Sequence, residues 1–195
     1  TINSIYVNAQ GQIFDFHNGV NNIKKKKIKF IGDARLRIQE DYLRIFRFFR
    51  FQCDYYNEQI KENDLSIIKE NIKGLKNVSK ERLWIELKNI IQHENSVQSL
   101  QNMQDIGIFS EIFEGIKITQ NYKKLNDILM NLSLSKTLSC KLSLLLNNDQ
   151  KNIENFVKEN PISNREKEEL LDLSSINKNV VSYMSMREAR EALYR

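Results

Sequence analysis

One proline and six glycines in 195 residues are too few chain breakers for a turn-rich all-β fold. Two cysteines, Cys53 and Cys140, cannot build a disulfide framework, and neither has metal-ligand spacing with His17 or His93. Such usage fits a reducing compartment. No apolar run approaches the roughly 20 residues of a membrane span, and no signal peptide leads the chain. The expected location is therefore cytoplasmic, with no membrane partner. What remains is a chain with 41% hydrophobic residues, enough for one sizeable core or two small ones.

The charge is small in sum and uneven in placement. Net charge is +5, yet Lys24 to Arg50 holds ten basic residues against the three acids Asp33, Glu40 and Asp41, so everything outside that segment is net negative. Concentrated positive potential of this kind suits a phosphate-rich ligand better than a uniformly basic surface does. The overall abundance of Lys, Asn, Ile and Leu carries no comparable message, since an AT-rich genome produces it too.

Patterning divides the chain early. "TINSIYVNAQGQIFDF" alternates apolar and polar residues around Asn-Ala-Gln-Gly, as a β-hairpin does. One hairpin is rarely stable alone, so this one is expected to be the remnant of a larger sheet. After a loop with Asn18-Gly19 and the lysine run, helical periodicity takes over. The spacing predicts a helix from about Arg35 to Tyr55, another from Asp64 to near Gly74, a third from Ser79 to His93 and a fourth from Asn95 to before Gly107. "SKTLSCKLSLLLNN" reads as an apolar core helix. Ser163 to Glu166 has capping-box spacing, and "MSMREAREALYR" is predicted helical. The fold class is mainly α, with a short N-terminal β-hairpin.

"GDARLRIQEDYLRIFRFFRF" carries the most chemistry. At about 100° per residue, Glu40, Asp41, Arg44 and Arg47 fall within roughly a third of a helix circumference, with Tyr42, Leu43, Ile45, Phe46 and Phe49 on the remainder. Phe48 and Phe51 border the charged strip, so its arginines are expected to be partly desolvated. The plain alternative is an ordinary ion pair between Glu40 and Arg44 on a solvated face. The chemical alternative is that Asp41, which only accepts, and Arg44, which only donates, present a matched acceptor and donor. Cytosine and adenine show an amino donor beside a ring-nitrogen acceptor, whereas uracil and guanine show a carbonyl beside an N–H. Such a pair takes C and A and rejects U and G. Glu40 would hold Arg44 in register, with Arg37, Arg47 and the lysines near phosphates.

Four stretches together resemble the class II tRNA nucleotidyltransferases that add CCA, and the related bacterial poly(A) polymerases. "TIN" looks like the tail of an Arg-Arg-Asp-x-x-x-Asn motif. "IFDFHNGVNNIKKKKIKFIGD" looks like the segment leading from the catalytic sheet to the neck. "RIQEDYLRIFRFFRF" is similar to the Glu-Asp-x-x-Arg base-selecting motif, and "VSKERLWIELKNII" to a neck-helix motif. The specific likeness covers residues 1 to 114. Ala34 stands where the family usually has Pro, and Asn22 where Asp is common.

The resemblance implies an RNA 3′-end nucleotidyltransferase region. Residues 1–33 would be the end of the catalytic head, 34–115 a helical neck binding nucleotide and RNA, and 116–195 a truncated helical body. It assigns nucleotide-binding roles to Asp41, Arg44, Glu40, Asn3, Arg37 and Arg47, and structural roles to Glu81, Arg82 and Glu86. CTP and ATP would be the substrates, and a tRNA or other RNA 3′ end the partner. The family's Asp-x-Asp carboxylates, which bind Mg2+, precede the Asn motif and have no match here; Asp15 and Asp33 lack their spacing. No catalytic or metal-binding residue is therefore expected in this chain, which alone should be inactive, with a separate chain or a preceding segment supplying the carboxylates. A non-catalytic RNA-binding helical protein, or the remnant of a split or truncated gene, is the competing expectation.

Overall fold

The computed structural model describes residues 4–55, 60–131 and 138–176. It forms two compact units, one ending at Ile112 and the other starting at Phe113. Thr1 to Asn3 and the predicted helix at "MSMREAREALYR" lie outside the described residues, so the expected role of Asn3 has no structural counterpart here.

The first unit opens on the hairpin. Strands β1 (Ile5–Val7) and β2 (Ile13–Asp15) pair antiparallel, with Tyr6 opposite Phe14. The turn is closed by Asn8, whose side-chain oxygen accepts from the amides of Gln10 and Gln12, while its carbonyl accepts from Gly11. Gly11 sits at φ +80, a left-handed conformation that glycine adopts without a Cβ penalty.

Where a loop was expected at Asn18-Gly19, the chain forms a short helix α1 (Gly19–Lys24). The reason is Asp15. Its carboxylate accepts from the amides of Gly19 at 2.7 Å and Val20 at 2.8 Å, satisfying donors that a helix start otherwise leaves open. Those bonds hold the Asp15 carboxyl below its usual range, Val20 contributing most and Gly19 next.

The predicted single helix from Arg35 to Tyr55 is two. Helix α2 (Ala34–Glu40) starts at Asp33, which accepts from the Leu36 amide, and helix α3 runs from Arg44 to Tyr55. Between them Asp41 is extended, at φ −153 and ψ 100. Its carboxylate accepts from the Leu43 amide and its carbonyl from the Arg44 amide, so it acts as a local cap that competes with continued helix. Tyr42 fixes the break from outside. Its ring lies so close over Gly74 that a Cβ there would sit 1.9 Å from a ring carbon.

Helix α4 starts earlier than predicted (Glu62–Asn71) and tightens into a 3₁₀ segment (Ile72–Asn77) that carries Gly74. Helices α5 (Lys80–Gln92), α6 (Ser96–Asp105) and α7 (Ile108–Ile112) follow. α3 packs on α5 and α6, burying Ile45, Phe46 and Phe49 against Leu83, Leu87, Ile90 and Leu100. Cys53 belongs to this core. Its thiol donates to the Phe49 carbonyl and Ser99, and burial pushes it up to about 11, an inert packing residue.

The second unit contains α8 (Gln120–Asn131), α9 (Leu138–Leu145), α10 (Gln150–Glu159) and α11 (Asn164–Ile176). Helix α9 is the apolar core helix that its sequence predicts, packed on α8 and α11. The capping box forms: Ser163 Oγ donates to Glu166 at 2.8 Å, and the Glu166 carboxylate accepts from the Ser163 amide.

Gly74→Ala is expected to lower stability by about 1–3 kcal/mol, as overpacking of a tight contact does. Thermal denaturation checks this, and Tyr42→Ala added to Gly74→Ala should recover part of the loss by removing the ring that the new methyl meets.

Candidate functional site

The break between α2 and α3 gathers the predicted residues into linked groups. Arg44 Nη1 donates to Glu40 at 2.7 Å and to the Arg37 carbonyl at 2.6 Å, so Arg44 reaches back and closes the C-terminal end of α2. The Arg37 side chain donates to the same Glu40 oxygen at 2.6 Å. Arg44 is thereby aimed through Nη1. Among the described residues its Nε and Nη2 make no hydrogen bond, leaving two donor nitrogens with three N–H groups for another partner.

Asp41 turns to different groups. Its carboxylate lies 3.2 and 3.4 Å from Arg82 on α5 and 3.9 Å from Arg47. Arg47 in turn donates to Glu86 at 3.1 Å, and Arg50 donates to the other Glu86 oxygen at 2.8 Å. Glu86 is 8% exposed, so this one carboxylate holds two guanidiniums of α3 at the edge of the core. The expected placement of Asp41 and Arg44 side by side on one rod is corrected accordingly. The pair flanks a helix junction, with Arg44 held by Glu40 and Asp41 held by Arg82. The side chains remain 29% and 26% exposed, so each can be reached from solvent.

A cleft of about 560 Å³ opens beside this junction. One wall is α3, through Arg44, Arg47, Phe48, Arg50, Phe51 and Tyr55. The other is the non-helical segment Lys27–Ile31, together with Asn22 and Ile23 of α1. Phe30 and Phe48 stack across the cleft, 5.1 Å apart and within 6° of parallel, which pins the two walls together. Among the described residues, six cationic side chains line the cleft (Lys27, Lys29, Arg37, Arg44, Arg47 and Arg50), and Glu86 is the one acid. Asp41 is not in the lining; it is joined to the cleft through Arg47.

The family model for "Probable RNA and SrmB- binding site of polymerase A" matches residues 59–119. A mitochondrial CCA tRNA nucleotidyltransferase 1 of Mus musculus is 38% identical over 135 residues, covering 68% of this chain and 30% of that protein. Poly(A) polymerase I of Haemophilus influenzae is 30% identical over 119 residues, covering 60% and 26%. The chain belongs to the tRNA nucleotidyltransferase and poly(A) polymerase family. It spans less than a third of the length of these relatives. In fold it is similar to a tRNA-processing enzyme solved with CTP, at TM-score 0.74 and 20% identity, covering 99% of this chain and 58% of that one.

Members of this nucleotidyltransferase family imply a divalent metal, and the donors among the described residues do not fit one. Asp15 is committed to capping α1 and Asp33 to capping α2, and the described residues contain no group of three or more His, Cys, Asp or Glu that could hold an ion. Sequence reasoning placed Arg82 and Glu86 beside the site without finding their partners. Asp41 and Arg82 are 41 positions apart, so only folding pairs them. It also missed Tyr55 and the clamp of Phe30 on Phe48, because single aromatics carry no signal of what they touch.

Two expectations follow from this geometry. The Arg44 hydrogen bond, above all, holds the Glu40 carboxyl below its ordinary range; desolvation opposes it and Arg37 assists. A folded-state pKa below the unfolded value adds stability that is present above the unfolded pKa and lost as pH falls through the folded one. Carbon-13 NMR should therefore titrate Glu40 at lower pH than an unfolded glutamate, and Arg44→Gln should move that midpoint back up. Glu86→Ala should cost about 2 kcal/mol by leaving Arg47 and Arg50 without their shared acceptor, measured by urea denaturation.

Proposed function

We propose that this chain forms the base-selecting and RNA-holding part of a nucleotidyltransferase that extends RNA 3′ ends. CTP and ATP are its substrates, and a tRNA or other RNA 3′ end is its partner. The observation that carries this reading is Arg44, fixed by Glu40 and by the Arg37 carbonyl, with two donor nitrogens uncommitted at a cationic cleft; Asp41, three residues earlier at the same junction, is held by Arg82 outside the cleft lining. Arg44 donates to the ring nitrogen that C and A present, and Asp41 accepts from their amino group, exchanging its contact with Arg82 for that bond. Uracil and guanine offer the reverse pattern and leave both groups unpaired, which disfavours them by the cost of unsatisfied desolvated polar atoms. Arg37 and Arg47, with the cleft lysines, attract the phosphates. Asn3 is assigned to the same nucleotide site by its motif.

The head, neck and body boundaries expected at residues 33 and 115 belong to this reading. So do a Mg2+ ion held by carboxylates outside the described residues, supplied by a preceding segment or a separate chain, and inactivity of this chain alone. No catalytic step is derived through that metal. The same base-selecting pair serves CCA addition and poly(A) addition. No helix among the described residues is long and apolar enough to cross a membrane, and we place the protein in the cytoplasm; the mouse relative's mitochondrial name makes that organelle the alternative. A non-catalytic RNA-binding role is the second reading. The RNA-binding description of the matched family model favours it.

Supplying a carboxylate-bearing head segment in trans should restore addition of C or A to an RNA 3′ end. Asp41→Ala and Arg44→Ala should then reduce discrimination against U and G by at least tenfold while RNA affinity changes little. Discrimination retained in both variants contradicts the templating role, and RNA binding without any nucleotide preference supports the second reading.

A further inference from the structure

The cleft continues well past the residues assigned to the incoming nucleotide. Along α3 the rise of about 1.5 Å per residue puts Phe51 about 10 Å from Arg44, and Tyr55 about one turn further. That spacing exceeds the ~3.4 Å between stacked residues of a nucleic-acid strand, so a base held at Arg44 cannot itself stack a neighbour lying at Phe51. A second base splayed to that distance needs its own platform.

The aromatic side chains of the cleft differ in what they offer. Phe48 has one face covered by Phe30 at 5.1 Å. Phe51 and Tyr55 also line the cleft, are half-buried, and lie with ring centroids 6.4 Å apart at 42°. Arg50 is held over the Phe51 ring at 4.7 Å while its Nε donates to Glu86, so a flat cation is fixed against an aromatic face. Aromatic rings and an ordered guanidinium plane beside a cationic wall are the elements on which proteins stack the bases of single strands. A purely apolar ligand would meet only the aromatic part of the cleft, whereas a nucleotide uses the aromatic and the cationic lining at once.

We propose that Phe51 and Tyr55, with the Arg50 guanidinium, form a stacking subsite for the base of the RNA's 3′-terminal nucleotide, next to the one to be added. This rests on the reading of the cleft given above. The subsite is tolerant of base identity, because every base has a π-face and the rings offer no matched donor and acceptor. Base choice and acceptor holding are thereby separated along α3: Arg44 at its start, with Asp41 at the junction before it, and Phe51 and Tyr55 at its end.

The test uses the native chain and a single-stranded RNA oligonucleotide with 2-aminopurine either at its 3′ terminus or five residues inward. Stacking quenches the fluorophore, and the terminal probe should be quenched severalfold more on binding than the inner one. Phe51→Leu with Tyr55→Leu should abolish that difference and weaken binding about tenfold without changing its salt dependence, whereas Phe51→Trp, which keeps an aromatic face, should retain it. Equal quenching at both positions in the native chain overturns the subsite whether or not the variants fold. Full terminal quenching in the folded double variant overturns it too. Failure of the native chain to bind the RNA at all overturns the RNA reading itself, and the subsite with it.

Discussion

A carboxylate at a helix boundary is the constraint on which the site depends. Asp41 cannot continue α2 while its side chain accepts from the Leu43 amide, so the chain breaks there and restarts as α3. The break frees the last carbonyls of α2, and Arg44 turns back to take that of Arg37. An unbroken helix would have closed those carbonyls by itself and left Arg44 on an ordinary surface. Tyr42 seated on Gly74 then locks the junction against the 3₁₀ segment. Local hydrogen-bond competition, packing and the orientation of one guanidinium are thus three consequences of the same few residues.

Charge is handled in two ways within one helix. Arg47 and Arg50 share the nearly buried Glu86, an arrangement in which each guanidinium is held and the carboxylate is fully compensated. Arg44 instead pairs with an exposed carboxylate and a backbone carbonyl, which leaves its remaining nitrogens uncommitted. The first arrangement ties α3 to α5; the second leaves binding capacity at the cleft. Glu86 therefore acts on the site through the arginines it positions. Arg82 reaches Asp41 from α5, which ties the helix junction to that helix.

Much of this was legible in the sequence, for reasons that differ by element. The hairpin, α5, α6, α9 and the capping box at Ser163 follow from periodicity and local hydrogen-bond chemistry, which the chain carries over short distances. The pairing of Glu40 with Arg44 follows from helical spacing, even though a junction intervenes. The junction itself was not legible. Asp41 and Tyr42 fit a helix pattern, and the contacts that hold the break in place, on Gly74 and Arg82, lie more than 30 positions away. Helix α1 was missed because Asp15 caps it from a strand. The cleft's second wall, Lys27–Ile31, read as a lysine run, and only the stack of Phe30 on Phe48 makes it a wall.

The most direct measurement is a crystal structure of the chain, joined to a carboxylate-bearing head segment, with CTP bound. The account predicts the Arg44 guanidinium on the cytosine ring nitrogen and the Asp41 carboxylate on its amino group, with Arg82 displaced from Asp41. A cytosine bound elsewhere in the cleft, with the Asp41 and Arg82 contact intact, would contradict it.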